Sequence, residues 1–143
     1  MKIYLDTNIY CRPLDDQNQS RIALEAKACI MVLGTIEKGD LLSFGSDILL
    51  FELSQTNKIK QSYIMPFTKF WKSRIRLSNK IVREAEIIQN QLKLKSRDSL
   101  HLAFAISAKS AYLLTCDDEF LAKTKKYAKI KVINPLDFIK DNL

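Results

Sequence analysis

The chain has three glycines and three prolines among 143 residues. So few turn-formers and helix breakers leave little room for flexible linkers, disordered tails or low-complexity segments. No run of 18 apolar residues occurs, which rules out a membrane-spanning helix on sequence grounds. The N-terminus carries an acid at position 6 after the short run Ile3-Tyr4-Leu5. That is not the apolar core of a secretory signal, and the expected location is cytoplasmic. The three cysteines, Cys11, Cys29 and Cys116, are odd in number and far apart, with no C-x-x-C spacing. A zinc knuckle and a disulfide framework are both excluded, and reduced thiols are expected.

What is present describes one folded unit. The composition is 47% hydrophobic and 27% charged, ordinary for a globular protein. A chain of this length buries a core without staples, so residues 1–143 are read as a single domain. The net charge of +7 and isoelectric point near 9.3 favour a polyanionic partner, nucleic acid first and an acidic protein second.

Hydrophobic periodicity gives alternating strands and helices. Lys2 to Leu5 reads as a buried strand that ends at Asp6-Thr7-Asn8, and a polar loop follows from Cys11 to Gln19. Ser20 is placed as the cap of a helix over Arg21 to Lys38, which Gly39-Asp40 stops. Leu41 to Phe44 reads as a strand, Gly45 and Ser46 as a turn, and Asp47 to Thr56 as a helix apolar nearly all round except at Glu52. Lys58 to Lys72 is basic and aromatic, helical with a break near Pro66. Its rings, Tyr63, Phe67, Phe70 and Trp71, suit either stacking on RNA or a core or dimer helix with a basic outer face. Arg74 to Leu77 reads as a short strand or extended segment. Ser78 caps a helix over Asn79 to Leu92, and Ser96 is placed as the cap of a helix over Arg97 to Lys109 whose centre is apolar on every side. Ala111 to Leu114 is a strand, Asp118 to Tyr127 a helix, Lys131 to Ile133 a last strand, and Pro135 opens a C-terminal helix. This alternation predicts an α/β fold with helices on both faces of a largely parallel sheet.

Four acids have surroundings that are unusual for acids. Asp6 ends the first strand, Glu52 interrupts an apolar helix, Asp98 lies in the first turn of the most apolar helix, and Asp117 follows the strand ending at Leu114. Each has a plain alternative: a turn residue, an exposed helix position, an acid at a helix N-terminus, a helix cap. Parallel strands nevertheless bring their carboxyl ends to one edge of a sheet, where ligands bind. Carboxylates gathered at such a point repel and would take up protons unless a cation neutralised them. Oxygen-only ligands select a hard ion, Mg²⁺ or Mn²⁺, and such a centre suits phosphodiester hydrolysis. His101, the only histidine, lies three residues after Asp98 on the same helix face. A general base is conceivable there, but a satisfied core histidine is the favoured reading.

Four stretches of sequence, Tyr4-Leu5-Asp6-Thr7-Asn8-Ile9, Ser46 through Glu52-Leu53, Arg97-Asp98-Ser99-Leu100-His101-Leu102-Ala103-Phe104-Ala105 and Leu114-Thr115-Cys116-Asp117-Asp118-Glu119-Phe120, together resemble the PIN-domain ribonuclease family. The resemblance covers essentially the whole chain and is closest to the small VapC-like toxins of toxin–antitoxin pairs. It implies a PIN-like, Rossmann-like three-layer α/β/α sandwich and an Mg²⁺- or Mn²⁺-dependent endoribonuclease. The family's acids map onto Asp6, Glu52, Asp98 and Asp117, with Asp6, Asp98 and Asp117 as the metal ligands. The Thr-x-Asp-x-x-Phe spacing favours Asp117 over the adjacent Asp118. The family's polar helpers map onto Thr7, Asn8 and Thr115. Lys93, Lys95 and Arg97, just before Asp98, are placed to hold a substrate phosphate. Single-stranded or looped RNA, a cognate antitoxin and a second copy of the chain are the implied partners. The competing reading is a PIN-like module that binds RNA or protein without cutting. A phosphoacceptor receiver is discounted because the strand Leu41 to Phe44 ends in Gly-Ser, and an Asp-x-Asp phosphatase because Asn8 replaces the second Asp.

Overall fold

The computed structural model describes all residues, Met1–Leu143. Five strands form one sheet in the order β3-β2-β1-β4-β5, with every neighbouring pair parallel. They are β1 (Lys2–Leu5), β2 (Leu42–Ser46), β3 (Trp71–Ile75), β4 (Tyr112–Leu114) and β5 (Lys131–Ile133). The helices are α1 (Thr7–Cys11), α2 (Ser20–Glu37), α3 (Asp47–Ser54), α4 (Lys58–Ile64), α5 (Asn79–Leu92), α6 (Ser96–Ser107), α7 (Asp118–Lys123) and α8 (Pro135–Asn142). No helix is long and apolar enough to cross a membrane.

Strand alternation explains the three layers. Ile3, Leu5, Leu114 and Ile133 point to one face, where they pack with Cys29, Val32 and Leu33 of α2, Leu49 and Leu53 of α3, and Phe138 of α8. Tyr4 and Leu113, one residue out of step, point to the other, with Ile81, Ala85 and Ile88 of α5, Leu102 and Phe104 of α6, and Phe120 of α7. Strands buried on both faces read as continuous apolar runs, as these do.

The predicted α/β sandwich is therefore the observed one, and its sheet is parallel throughout. Several local expectations need correction. Before the segment read as a polar loop, Cys11 to Gln19, the chain forms the unpredicted helix α1, because Ile9 and Tyr10 are buried and pull it onto the sheet, and the segment itself opens with the last residue of α1 and a 3-10 turn at Arg12–Leu14. Gly45 and Ser46 are the last residues of β2 rather than a turn. A side chain at Gly45 would place its Cβ 2.1 Å from Cε3 of Trp71, so the glycine serves close strand approach. Lys58 to Lys72 splits into α4, a 3-10 turn over Met65–Phe70, and the start of β3. Phe67, Phe70 and Trp71 pack against the core while Lys58, Lys69 and Lys72 face outward, which favours the core reading of that stretch. Ser20 and Ser96 lie inside their helices, and the preceding Gln19 and Lys95 occupy the cap positions without a side-chain bond. Ser78 caps α5 as expected. All three cysteines are free thiols.

Candidate active site

Chain order reverses at β1: β2 and β3 lie on one side of it, β4 and β5 on the other. The crevice beyond the carboxyl ends of β1 and β4 is the switch point at which open parallel sheets bind ligands. Asp6 lies there, its amide donating to the Leu114 carbonyl at 2.9 Å.

Asp6 is 6% exposed and thoroughly held. Oδ1 caps α1 by accepting the Thr7 amide at 2.7 Å, and Oδ2 accepts the Thr115 hydroxyl at 2.8 Å and Nδ2 of Asn8 at 3.2 Å. Asn8 in turn accepts the Cys116 amide through Oδ1 at 3.0 Å and donates to Thr115 Oγ1 at 3.1 Å. Thr7, Asn8 and Thr115 are thus bracing for the Asp6 carboxylate, which a buried charge requires.

Glu52 reaches the same place from α3. Oε1 accepts the Thr7 hydroxyl at 2.8 Å and is hydrogen-bonded to Nε2 of His101, while Oε2 pairs with Arg97 at 3.0 Å. Burial alone would raise the Glu52 pKa, but the bonds and charges of His101, Thr7 and Arg97 outweigh it and hold the pKa below the usual carboxylate range. His101 is fully buried, and Nε2 also lies 3.5 Å from Oδ1 of Asp6. Its other nitrogen, Nδ1, is 2.8 Å from the Tyr4 hydroxyl, which is 2.6 Å from Oγ of Ser46. Burial disfavours the imidazolium, yet the charges of Asp6 and Glu52 and the Glu52 bond prevail, and the His101 pKa is raised. With both nitrogens protonated, Nδ1–H donates to Tyr4 and Tyr4 donates to Ser46, so each donor finds an acceptor. Burial also pushes the Tyr4 phenol well up, keeping its proton available.

Asp98 has no hydrogen-bonding or ion-pair partner in the chain. It is half-buried, in the first turn of α6, one turn before His101. Burial, followed by the negative charges of Asp6 and Asp117, raises its pKa from 3.8 to about 6. Asp117 caps α7, with Oδ1 accepting the amides of Glu119 and Phe120 at 2.9 and 3.1 Å. Its own amide donates to Thr115 Oγ1 at 3.1 Å. Helix capping and participation in the acidic cluster are therefore compatible uses of this one side chain.

The sequence-predicted residues sort as follows. Asp6 and Glu52 are in direct geometric association, and their ligand atoms lie with Nε2 of His101 within 4.8 Å of one another. Asp98 and Asp117 adjoin them through their charges. Arg97 is engaged with Glu52, Lys95 is 3.7 Å from Glu119, and Lys93 closes α5. Asp118 is turned away onto Arg21, at 2.6 and 2.7 Å, whereas Asp117 is turned onto the first amides of α7. Asp15 pairs with Arg12, and Asp16 holds the turn at Asn18. The sequence favours a core histidine at position 101. It is buried as expected, but its partners are candidate site acids, so the cluster is not built of oxygen donors alone. The spacing of Asp98 and His101 on one helix face was the available signal.

The site fits a divalent cation. The ligand atoms of Asp6, Glu52 and His101 gather within 4.8 Å of one another, and the nearby Asp98 is an unpartnered carboxyl whose pKa is raised by burial and by the charges of Asp6 and Asp117, a charge density that a positive ion would relieve.

Comparisons with known proteins agree with the architecture. No protein-family model matches the sequence, and no curated protein matches it. Among solved structures, FitAcB from Neisseria gonorrhoeae matches with a TM-score of 0.60 at 19% identity, over 94% of this chain and 98% of that one. VapBC2 from Rickettsia felis, bound to a DNA fragment from their promoter, matches with the same score, identity and coverage. The likeness identifies the fold as the PIN-like, Rossmann-like α/β/α sandwich.

Proposed function

We propose that this chain is a divalent-metal-dependent endoribonuclease of the VapC-like PIN group, the toxin of a toxin–antitoxin pair. The observation that carries the reading is the convergence of Asp6 and Glu52 on His101, beside the unpartnered Asp98, at the switch point of a PIN-like sheet. The VapBC2 likeness, reached from backbone shape, supports the same group that the sequence motifs suggested.

In this reading Asp6, Asp98 and Asp117 hold Mg²⁺ or Mn²⁺. Such an ion supplies Lewis acidity at the phosphate and activates water for in-line attack. The chain's own residues do the rest. Thr7, Asn8 and Thr115 fix the Asp6 carboxylate so that it need not reorganise. Glu52, kept ionised by His101 and Arg97, adds negative charge that favours the ion. Lys93, Lys95 and Arg97 stand beside Asp98 to receive the substrate phosphate, Arg97 being exposed enough to exchange Glu52 for it. An antitoxin and a second copy of the chain are proposed partners. Exposed Leu24, Ile30 and Met31 of α2, together with Ile59 and Tyr63 of α4, offer apolar surface for association.

Digestion of total RNA with Mg²⁺ or Mn²⁺ and with EDTA, followed by mapping of cut ends, tests the reading. Cutting at defined positions only with the ion, lost in Asp6→Asn and Asp98→Asn, is the expected result. RNA binding without cutting would replace it with the non-catalytic module. Growth arrest that persists on overexpression of Asp6→Asn would also remove the nuclease.

A further inference from the structure

A lysine-rich ledge leads away from the acidic cluster along α7, on the α5–α6 face of the sheet. It begins at Lys93 and Lys95 in the link before Asp98. It passes Lys123 at the end of α7 and reaches Lys126 and Lys129. Its ion-pair partners are few: Glu119 bridges Lys95 at 3.7 Å and Lys123 at 2.6 Å, and Glu84 takes Lys129 at 3.1 Å. Lys93 and Lys126 have no ion-pair partner. The ledge is fixed to the site, because Nζ of Lys123 donates to the Lys93 carbonyl at 2.8 Å, tying α7 to the link that leads into α6 and Asp98. Lys93 itself has φ 59°, a left-handed conformation that glycine adopts at lower cost.

The ledge is not a plain charged face. Half-buried Tyr127 stands between two clefts that share it. One, of about 430 Å³, is lined by Leu92, Lys123, Lys126 and Lys129. The other, of about 490 Å³, has mixed charge: Lys125, Lys131 and Lys140 line it with Asp137 and Asp141, and Lys131 pairs with Asp141 at 3.8 Å. Cations tracking away from a hydrolytic centre, with one aromatic ring between two recesses, suit a sugar–phosphate backbone whose bases are unpaired and free to stack. An acidic protein would use the charges but would have no need of the ring.

We propose that this ledge binds single-stranded RNA on one side of the cut site. Lys93 and Lys126 contact successive phosphates, and Tyr127 stacks a base. The inference rests on the ribonuclease reading for the identity of the strand, but its test is binding alone.

The experiment measures fluorescence anisotropy of a short single-stranded oligoribonucleotide with the full chain in EDTA, across a salt series. The double variant Lys93→Gln/Lys126→Gln should weaken binding about tenfold near physiological salt, and should reduce the log–log salt slope by about 1.4. Tyr127→Leu should weaken it about fivefold or more with little change in slope. Lys27→Gln/Lys38→Gln removes the same charge from α2 and its end, on the opposite face, and should leave both quantities unchanged. Equal losses in the two double variants, or none in the first, would overturn the ledge. So would polyglutamate competing as well as RNA in a manner indifferent to Tyr127, which would favour an acidic protein. Lys93→Gly, which suits the left-handed backbone, guards against misfolding and should weaken binding about threefold without lowering the melting temperature. If the wild type binds through the ledge but cuts no RNA, the ledge stands and the nuclease falls. If it cuts RNA and the ledge variants bind normally, the reverse holds.

Discussion

His101 and Glu52, 49 residues apart in sequence, meet side chain to side chain through Nε2 and Oε1. Through this contact α6 sets the position of an acid on α3, and Tyr4 in β1 holds the far side of the imidazole. Replacing His101 by Ala strips Glu52 of its buried partner. Loss of a residue that orients a ligand group costs about 10–100-fold in metal affinity or activity. Mn²⁺ binding followed by electron paramagnetic resonance and RNA cleavage should both fall by that amount. His101→Gln, which can still donate to Glu52, should recover part of each.

The raised pKa of Asp98 fixes the sign of a pH effect. Its folded-state value of about 6 lies above the ordinary 3.8, so the fold favours the protonated form. That stabilisation is complete below pH 3.8 and is lost as pH rises through 6. In metal-free protein, Asp98→Asn should therefore raise the melting temperature at pH 7.5, and the gain should shrink progressively from pH 6 to pH 4. A cation needs the ionised form, so its affinity in the wild type should fall up to about tenfold per pH unit below 6. Calorimetric titration and thermal melts on the same samples check both trends. A flat Asp98→Asn difference across this range would contradict the burial of Asp98 and its repulsion by Asp6 and Asp117.

Asp6→Asn changes hydrogen bonding as well as charge. An amide at position 6 would set a donor against Nδ2 of Asn8 or lose the Thr7 amide, since both oxygens now accept. A cost of about 1–3 kcal/mol in stability is expected, with a loss of cleavage beyond about a hundredfold, the upper limit for orienting residues. Urea denaturation separates the two effects. A variant as stable as wild type would mean the Asn8–Thr115 bracing is looser than the distances imply.

Gly45→Ala should cost about 1–3 kcal/mol or more, as overpacking in a tight interior does. The added methyl meets the Trp71 ring at 2.1 Å, and that ring is anchored by Nε1 donating to the Tyr10 hydroxyl at 2.8 Å. A lower denaturation midpoint and a shifted Trp71 fluorescence maximum, Trp71 being the only tryptophan, would report the displacement.

Glu25 is 1% exposed and faces Arg12 at 3.5 Å, Arg21 at 3.6 Å and Nδ2 of Asn134 at 2.6 Å. Glu25→Leu removes the buried carboxylate beneath α2 and leaves Arg12 with Asp15 alone, and about 3–5 kcal/mol should be lost if Glu25 is the counter-charge that matters. The denaturant midpoint measures it. A neutral result would show that Asp15, 3.1 Å from Arg12, suffices to balance the guanidinium.

The sequence made the layers legible because periodicity reports burial directly: β1, α5 and β5 lie at their expected residues. The four acids were legible because each interrupts an apolar context. Three things were hidden. The helix α1 is too short for a periodic signal, and its cap, Asp6, doubles as a site residue. Gly45 looked like a turn because its reason, the Trp71 ring, comes from a distant strand. Glu25 and His101 sit within helices among ordinary neighbours, and only the folded chain brings them to Arg12 and Glu52.

The hydroxyl that braces Asp6 comes from Thr115, 109 residues later, just past the end of β4, the strand that pairs with β1 on the side away from β2. During synthesis, when N-terminal segments emerge first, a nascent chain presents Asp6 and then Glu52 long before Thr115 and Asp117 leave the ribosome. The acidic centre is therefore incomplete until about four-fifths of the polypeptide has been made, so any chain truncated before Thr115 carries Asp6 without its brace.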